Sequence, residues 1–219
     1  MRKTLLFDLD GTLLNTLEDL RDSTNFALRT YGYPERSLEE VRRFVGNGLK
    51  MLLTRAVPQS SSEAEIERAL ACMKAHYCKN YHNKTVPYPG IPELLQRLQQ
   101  AGFRMAIVSN KADPAVQLIR TLYFDGIIDV AVGESSVCAK KPAPDMVLAA
   151  LQRLGSTADD AIYLGDSEVD LQTARNSGLP CATVGWGFRT EAELRAAGAQ
   201  TIYHSPEALG KALLNGSIQ

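Results

Sequence analysis

Residues 4–12 read Thr4-Leu5-Leu6-Phe7-Asp8-Leu9-Asp10-Gly11-Thr12. The short run 4–9 is apolar apart from Asp8 and opens almost directly from the N-terminus, which is how a strand buried in a sheet reads. Gly11-Thr12 punctuates its end. Similar short runs recur at 104–108, 127–132, 161–164 and 181–184. Helical patterns follow the middle runs, at 114–122, 144–154 and 168–176. Strands alternating with helices require right-handed crossovers and a parallel sheet. The expected fold class is therefore α/β, a doubly wound and mainly parallel sheet.

One stretch interrupts that alternation. Between Thr16 and about Asn83 no strand pattern occurs, and Leu17, Leu20, Thr24, Ala27 and Leu28 follow i, i+3, i+4 spacing. Four helices fit, at roughly 16–31, 37–44, 47–56 and 63–82. Gly32-Tyr33-Pro34, Gly46 and the segment 58–62 separate them. An all-helical block between the first and second strands of a parallel sheet is an inserted cap. The expected division is a catalytic α/β core of residues 1–15 and 85–219, with a helical cap of residues 16–84.

The 219 residues suffice for such a core, and the hydrophobic fraction of 45% is ordinary for a globular protein. The formal net charge of −1, with no basic stripe, gives nucleic-acid binding no electrostatic support. A small anionic substrate needs only a local positive spot. The apolar run at the N-terminus stops at Asp8, too soon for a secretory or membrane segment. The four cysteines, Cys72, Cys78, Cys138 and Cys181, show no metal or redox spacing. They are expected as free thiols in a reducing cytoplasm.

In open parallel sheets, ligands bind beyond the carboxyl ends of the strands. The first run ends in Asp8-Leu9-Asp10-Gly11-Thr12 and the second in Ser109-Asn110-Lys111. Lys140-Lys141-Pro142-Ala143-Pro144 follows the third, and the fourth ends in Gly165-Asp166-Ser167. Three acids, a hydroxyl and a lysine thus converge on one edge. On a regular strand Asp8 and Asp10 would share a face. Carboxylates so close repel unless a cation relieves them. Oxygen donors without His or Cys favour Mg²⁺. A lone Asp166 before a helix would read as a cap, but three acids together do not.

Phe7-Asp8-Leu9-Asp10-Gly11-Thr12-Leu13 resembles the DxDGT signature of the haloacid dehalogenase superfamily. Ser109, Lys141 and Gly165-Asp166-Ser167-Glu168-Val169-Asp170 resemble its second, third and fourth motifs, in order along the core. The resemblance implies a Rossmann-like core and a phosphatase reaction in which Asp8 is the nucleophile. Mg²⁺ would be held by an Asp8 oxygen, the Asp10 main-chain carbonyl and Asp166. It implies that Asp10 acts as general acid and then base, for which a raised pKa is expected. Ser109 and the Asn110 N–H would bind a phosphoryl oxygen, and Lys141 would supply positive charge. Lys140 is the neighbouring candidate, but the KPxP match selects Lys141. Asp170, one helical turn after Asp166, would hold a metal-bound water. Gly11 and Thr12 would turn the chain and offer N–H groups to phosphate.

The segment Phe44-Val45-Gly46-Asn47-Gly48 resembles the cap loop of phosphoglycolate phosphatases. The expected partner is thus a small phosphorylated metabolite: phosphoglycolate first, with sugar phosphates and pyrophosphate behind it. Arg43 and Lys50 are the candidate cations for its carboxylate, assisted by N–H groups of 46–48. Asn15, where related enzymes commonly carry Asp, reads as the N-cap of the first cap helix. His76, His82 and His204 have no partner at ligand spacing and read as structural. Trp186 is expected to pack beneath the site. A phosphomutase of the same superfamily is one alternative, disfavoured because 17–22 lacks a histidine. A phospho-accepting receiver domain is another, disfavoured by the helical insertion and by Asp10.

Overall fold

The computed structural model describes residues 2–46 and 48–218. In chain order it begins with β1 (Thr4–Phe7) and β2 (Leu14–Asn15), then α1 (Leu17–Thr30), α2 (Leu38–Phe44), α3 (Gly48–Ala56) and α4 (Glu63–Asn80). There follow β3 (Val86–Pro87), α5 (Ile91–Gln100), β4 (Arg104–Ala112), α6 (Asp113–Phe124), β5 (Val130–Glu134) and α7 (Asp145–Leu154). The chain closes with β6 (Ala161–Gly165), α8 (Glu168–Asn176), β7 (Cys181–Val184), α9 (Glu191–Ala196), β8 (Ile202–Tyr203) and α10 (Pro206–Leu214). It divides into two compact units: residues 1–14 with 87–219, and residues 15–86.

In the α/β unit six strands run in the order β5-β4-β1-β6-β7-β8. Every neighbouring pair is parallel. The chain winds outward from β1 to β4 and β5, then returns to β1's other side as β6. The strand order therefore reverses at β1, and the carboxyl ends of β1, β4 and β6 surround the crevice where such sheets bind ligands. All four residues of β1 are buried, as a central strand covered on both faces demands. One face packs Leu6, Ala106, Val108 and Tyr163 against Met146, Val147 and Ala150 of α7.

The helical unit follows from local signals. Ser37 and Ser62 each accept a hydrogen bond from the backbone N–H three residues on, while Glu40 and Glu65 reach back to the serines' own N–H groups. These reciprocal caps start α2 and α4. Asn15 differs from its expected role: the N-cap of α1 is Thr16. Asn15 still accepts from the Leu17 N–H at 3.3 Å, so it satisfies a first-turn donor from one position earlier. At the base of the unit, the buried Asp19 carboxylate accepts from the N–H groups of Lys84 and Thr85 and from the Thr85 hydroxyl.

Other differences have physical reasons. The first strand ends at Phe7 rather than Leu9, because Leu9 O receives the Leu13 and Leu14 N–H groups and the chain turns. The strand expected over 127–132 begins only at Val130. Ile127 and Ile128 donate to Phe124 O and close α6 instead. Residues 91–100, 191–196 and 206–214 are helices, and β2, β3 and β8 are two-residue strands that the apolar runs did not indicate. Among the described residues no helix is long and apolar enough to cross a membrane.

Candidate active site

β1 stops at Phe7: Asp8 still donates its N–H to Leu164 O at 2.8 Å, and the chain then turns through Leu9 and Asp10. Asp8 is buried, and its Oδ1 accepts from Lys141 Nζ at 2.6 Å. Asp10 instead meets Lys111, whose Nζ donates to its Oδ1 at 3.1 Å. The two carboxylates thus have separate cationic partners.

Lys141 is 3% exposed. Its ammonium also donates to Asp170 Oδ1 at 2.8 Å and to the Tyr163 hydroxyl at 3.0 Å. Asn110 fixes the backbone behind it: Asn110 Oδ1 accepts from Lys141 N at 2.6 Å, and Nδ2 donates to Lys141 O at 3.1 Å. The Asn110 side chain, expected only as a bearer of a phosphate-binding N–H, is thus a clamp on Lys141. Ser109 is buried and its Oγ accepts from Lys111 N at 3.2 Å. That leaves the hydroxyl proton to donate elsewhere.

Asp166, at the end of β6, is 2% exposed. Its oxygens receive Thr12 Oγ1 at 3.3 Å and the Phe188 N–H at 2.7 Å. Gly11 is required here twice over. Its φ is +95°, and a Cβ would stand 2.5 Å from Asp166 Oδ2. A Cβ on Gly187 would also collide with the Asp166 carboxylate. The expectation that Gly11 offers its N–H to phosphate is corrected, since that group donates to Leu14 O at 2.9 Å. Trp186 Nε1 donates to Thr12 O at 3.0 Å and steadies the same turn.

Asp8, Asp166 and Asp170 bring one oxygen each within 4.8 Å of one another. Asp170 is a poor ligand despite that proximity. Its Oδ1 receives Lys141 and Tyr163, and its Oδ2 receives the Ser167 N–H and hydroxyl. Through these bonds it holds Lys141 and caps α8. The Asp10 side chain is outside this group, so only its carbonyl could join Asp8 and Asp166 around an ion.

The electrostatics favour a divalent cation. Three buried carboxylates face one ammonium, a deficit of two positive charges. Burial pushes the Asp8 carboxyl well above the usual range, opposed by Lys141 and reinforced by Asp170 and Asp166. Asp166 is pushed up to about 7, chiefly by burial and then by Asp170, against the Phe188 N–H and Arg189. Both groups would shed their protons for a hard ion, and their all-oxygen chemistry fits Mg²⁺.

In the helical unit Lys50 donates to Glu63 at 2.7 Å and Glu67 at 2.5 Å. Arg43 lies 3.7 Å from Glu39 and is 63% exposed. Both cations expected for the substrate therefore already have carboxylate neighbours, and Asn47 of the expected loop is outside the described residues. His76 accepts or donates with Ser23 Oγ at 3.0 Å and stacks on Phe26, a packing role. All four cysteines are free. Lys111, Tyr163 and Gly187 are site residues the motifs did not indicate. Tyr163 carried the one available signal: a hydroxyl in an otherwise apolar strand must find a partner.

The haloacid dehalogenase-like hydrolase family matches residues 5–184. A phosphoglycolate phosphatase of Aquifex aeolicus is 32% identical over 187 residues, 85% of this chain and 86% of that one. A phosphoglycolate phosphatase of Mesorhizobium japonicum is 34% identical over 191 residues, 85% and 84% of the two chains. A crystal structure from Lactobacillus delbrueckii subsp. bulgaricus is similar at a TM-score of 0.93 and 36% identity, covering 97% of this chain and 99% of that one.

Proposed function

This chain belongs to the haloacid dehalogenase-like hydrolase family as a phosphatase, and we propose that it hydrolyses phosphoglycolate through an aspartyl-phosphate on Asp8. The observation that carries this reading is the buried Asp8, held by Lys141 at 2.6 Å beside Asp166 at the strand ends. A carboxylate so placed is oriented for attack and needs no base to deprotonate it once a cation is present.

Asp8 and Asp166, with the Asp10 carbonyl, would hold Mg²⁺. The bound ion would offset repulsion between nucleophile and phosphate dianion and orient the phosphoryl group. An Asp8 oxygen attacks phosphorus as the bond to the leaving oxygen breaks. Lys141 draws charge from the phosphoryl oxygens while Asp170 and Tyr163 keep its ammonium in place. The Ser109 hydroxyl donates to a phosphoryl oxygen. Asp10 protonates the departing glycolate oxygen, then takes a proton from the water that attacks the acyl phosphate. Inorganic phosphate leaves and Asp8 is regenerated.

Release of phosphate from a panel of monoesters, with Mg²⁺ and with excess EDTA, tests the activity. Phosphoglycolate should have the highest kcat/KM, ahead of sugar phosphates and pyrophosphate, and EDTA should suppress all of them. Borohydride quenching during turnover should convert Asp8 to homoserine, which mass spectrometry detects. Turnover with Asp8 never trapped, or full activity in EDTA, would refute the mechanism.

A further inference from the structure

Lys111 has no part in the steps above, yet it is the second ammonium at the strand ends. It stands in β4 where the register against β5 shifts between Ser109 and Ala112. Its side chain is 8% exposed, and its Nζ lies 3.1 Å from Asp10 Oδ1. Lys141 serves Asp8, Asp170 and Tyr163. The two lysines thus divide the site, one on the nucleophile and one on the carboxyl assigned to the leaving oxygen.

We propose that Lys111 is the specificity-determining residue for an anionic leaving group, its ammonium passing from Asp10 to the substrate's carboxylate. The inference rests on the phosphatase reading and on Asp10 as proton donor. A proton donor must come within hydrogen-bond reach of the leaving oxygen. In phosphoglycolate the carboxylate carbon is two bonds from that oxygen, so its own oxygens lie roughly 2.7–3.6 Å away. An ammonium in contact with Asp10 covers that region.

The exchange also keeps Lys111 paired. One carboxylate replaces another on Lys111, so no buried ammonium is stripped of its counter-ion. An alcohol leaving group without a carboxylate offers no replacement, and Lys111 stays on Asp10. The same residue would therefore select the substrate by its carboxylate.

The test compares kcat/KM for phosphoglycolate and ethyl phosphate in the wild type, Lys111→Gln and Lys111→Arg. The preference for phosphoglycolate should fall about 10–100-fold in Lys111→Gln, and Arg should restore part of it. A proportionate fall on both substrates would mean that Lys111 only steadies Asp10, and would overturn the inference. Unaltered kinetics on both would do the same. Should Lys111→Gln fail to fold, inhibition of the wild type and Lys111→Arg provides the measurement. The wild type should bind 3-phosphonopropionate at least 10-fold more tightly than propylphosphonate, and Lys111→Arg should retain part of that margin; equal inhibition by the two would refute carboxylate recognition. A wild type that hydrolyses both esters without preference defeats this inference alone. One that hydrolyses neither defeats the phosphatase reading and this inference with it.

Discussion

In the helical unit, Lys50 reaches Glu63 and Glu67 across open surface, with all three side chains more than half exposed. In the α/β unit, Lys141 reaches Asp8 and Asp170 with almost no solvent at any of the three. Both are one lysine between two acids at similar distances. Exposed pairs trade water for each other at little net gain. Buried ones cannot recover their hydration, so they persist where surrounding groups satisfy them or where function demands them. The contrast teaches that contact geometry alone does not mark a site; burial and an excess of like charge do.

The strongest attempt to break the contrast is Asp8→Asn. Turnover should vanish, since an amide cannot form the acyl phosphate, while the fold should survive because Lys141 keeps Asp170 and Tyr163. Circular dichroism alongside phosphate release checks both halves, and residual turnover at wild-type rates would exclude Asp8 as nucleophile. Asp10→Asn should cost about 10²–10⁴-fold in kcat. The loss should be smallest for nitrophenyl phosphate, whose leaving group needs little protonation. Equal losses for good and poor leaving groups would contradict the acid role.

Next in size is a pH effect. The Asp166 carboxyl titrates at about 7 in the folded protein against 3.8 as its ordinary value. Between these values the folded state holds the extra proton, so this group's stabilising contribution is complete below about pH 4 and is lost as pH rises through about 7. Mg²⁺ competes with that proton. Saturating Mg²⁺ should therefore raise Tm more at pH 8 than at pH 5.5, by differential scanning fluorimetry. A larger gain at the lower pH would reverse the assignment.

The smallest effects belong to the helical unit. Ser62→Ala should lower stability by about 1 kcal/mol through loss of the cap on α4. Lys50→Ala should leave Tm unaltered, and it should also leave phosphoglycolate kinetics unaltered if Lys111 rather than Lys50 receives the carboxylate. A rise in KM for phosphoglycolate alone would restore Lys50 as a substrate contact.

What the chain discloses before folding follows the range of each interaction. Capping signals act over three residues, so Ser37 with Glu40 and Ser62 with Glu65 could be read directly. The apolar runs of β1, β6 and β7 were legible because buried strands admit little else. The helix Ile91–Gln100 has the same kind of signal, since Ile91, Leu94, Leu95 and Leu98 lie at helical spacing and are all buried. Ile202–Tyr203 has none, since two residues carry no period. At the site, the strand ends brought Asp8, Ser109, Lys141 and Asp166 to one edge. The choice of Lys111 as Asp10's partner depends on a turn after Phe7 and a register shift in β4. Gly11 marks that turn but not its partner, and the register shift has no sequence signature.

Asp19 has a consequence for how such a chain assembles. One carboxylate ties the start of α1 to Lys84 and Thr85, so the helical unit's two ends are fastened together by its own residues. Once that clasp forms, the closure entropy of a long insertion has been met within the insertion itself. The strands on either side then behave as though joined by a short loop. Length and sequence between the clasped ends become nearly free variables for the rest of the protein. A helical insert of another size could stand there without slowing the pairing of β1 with β4.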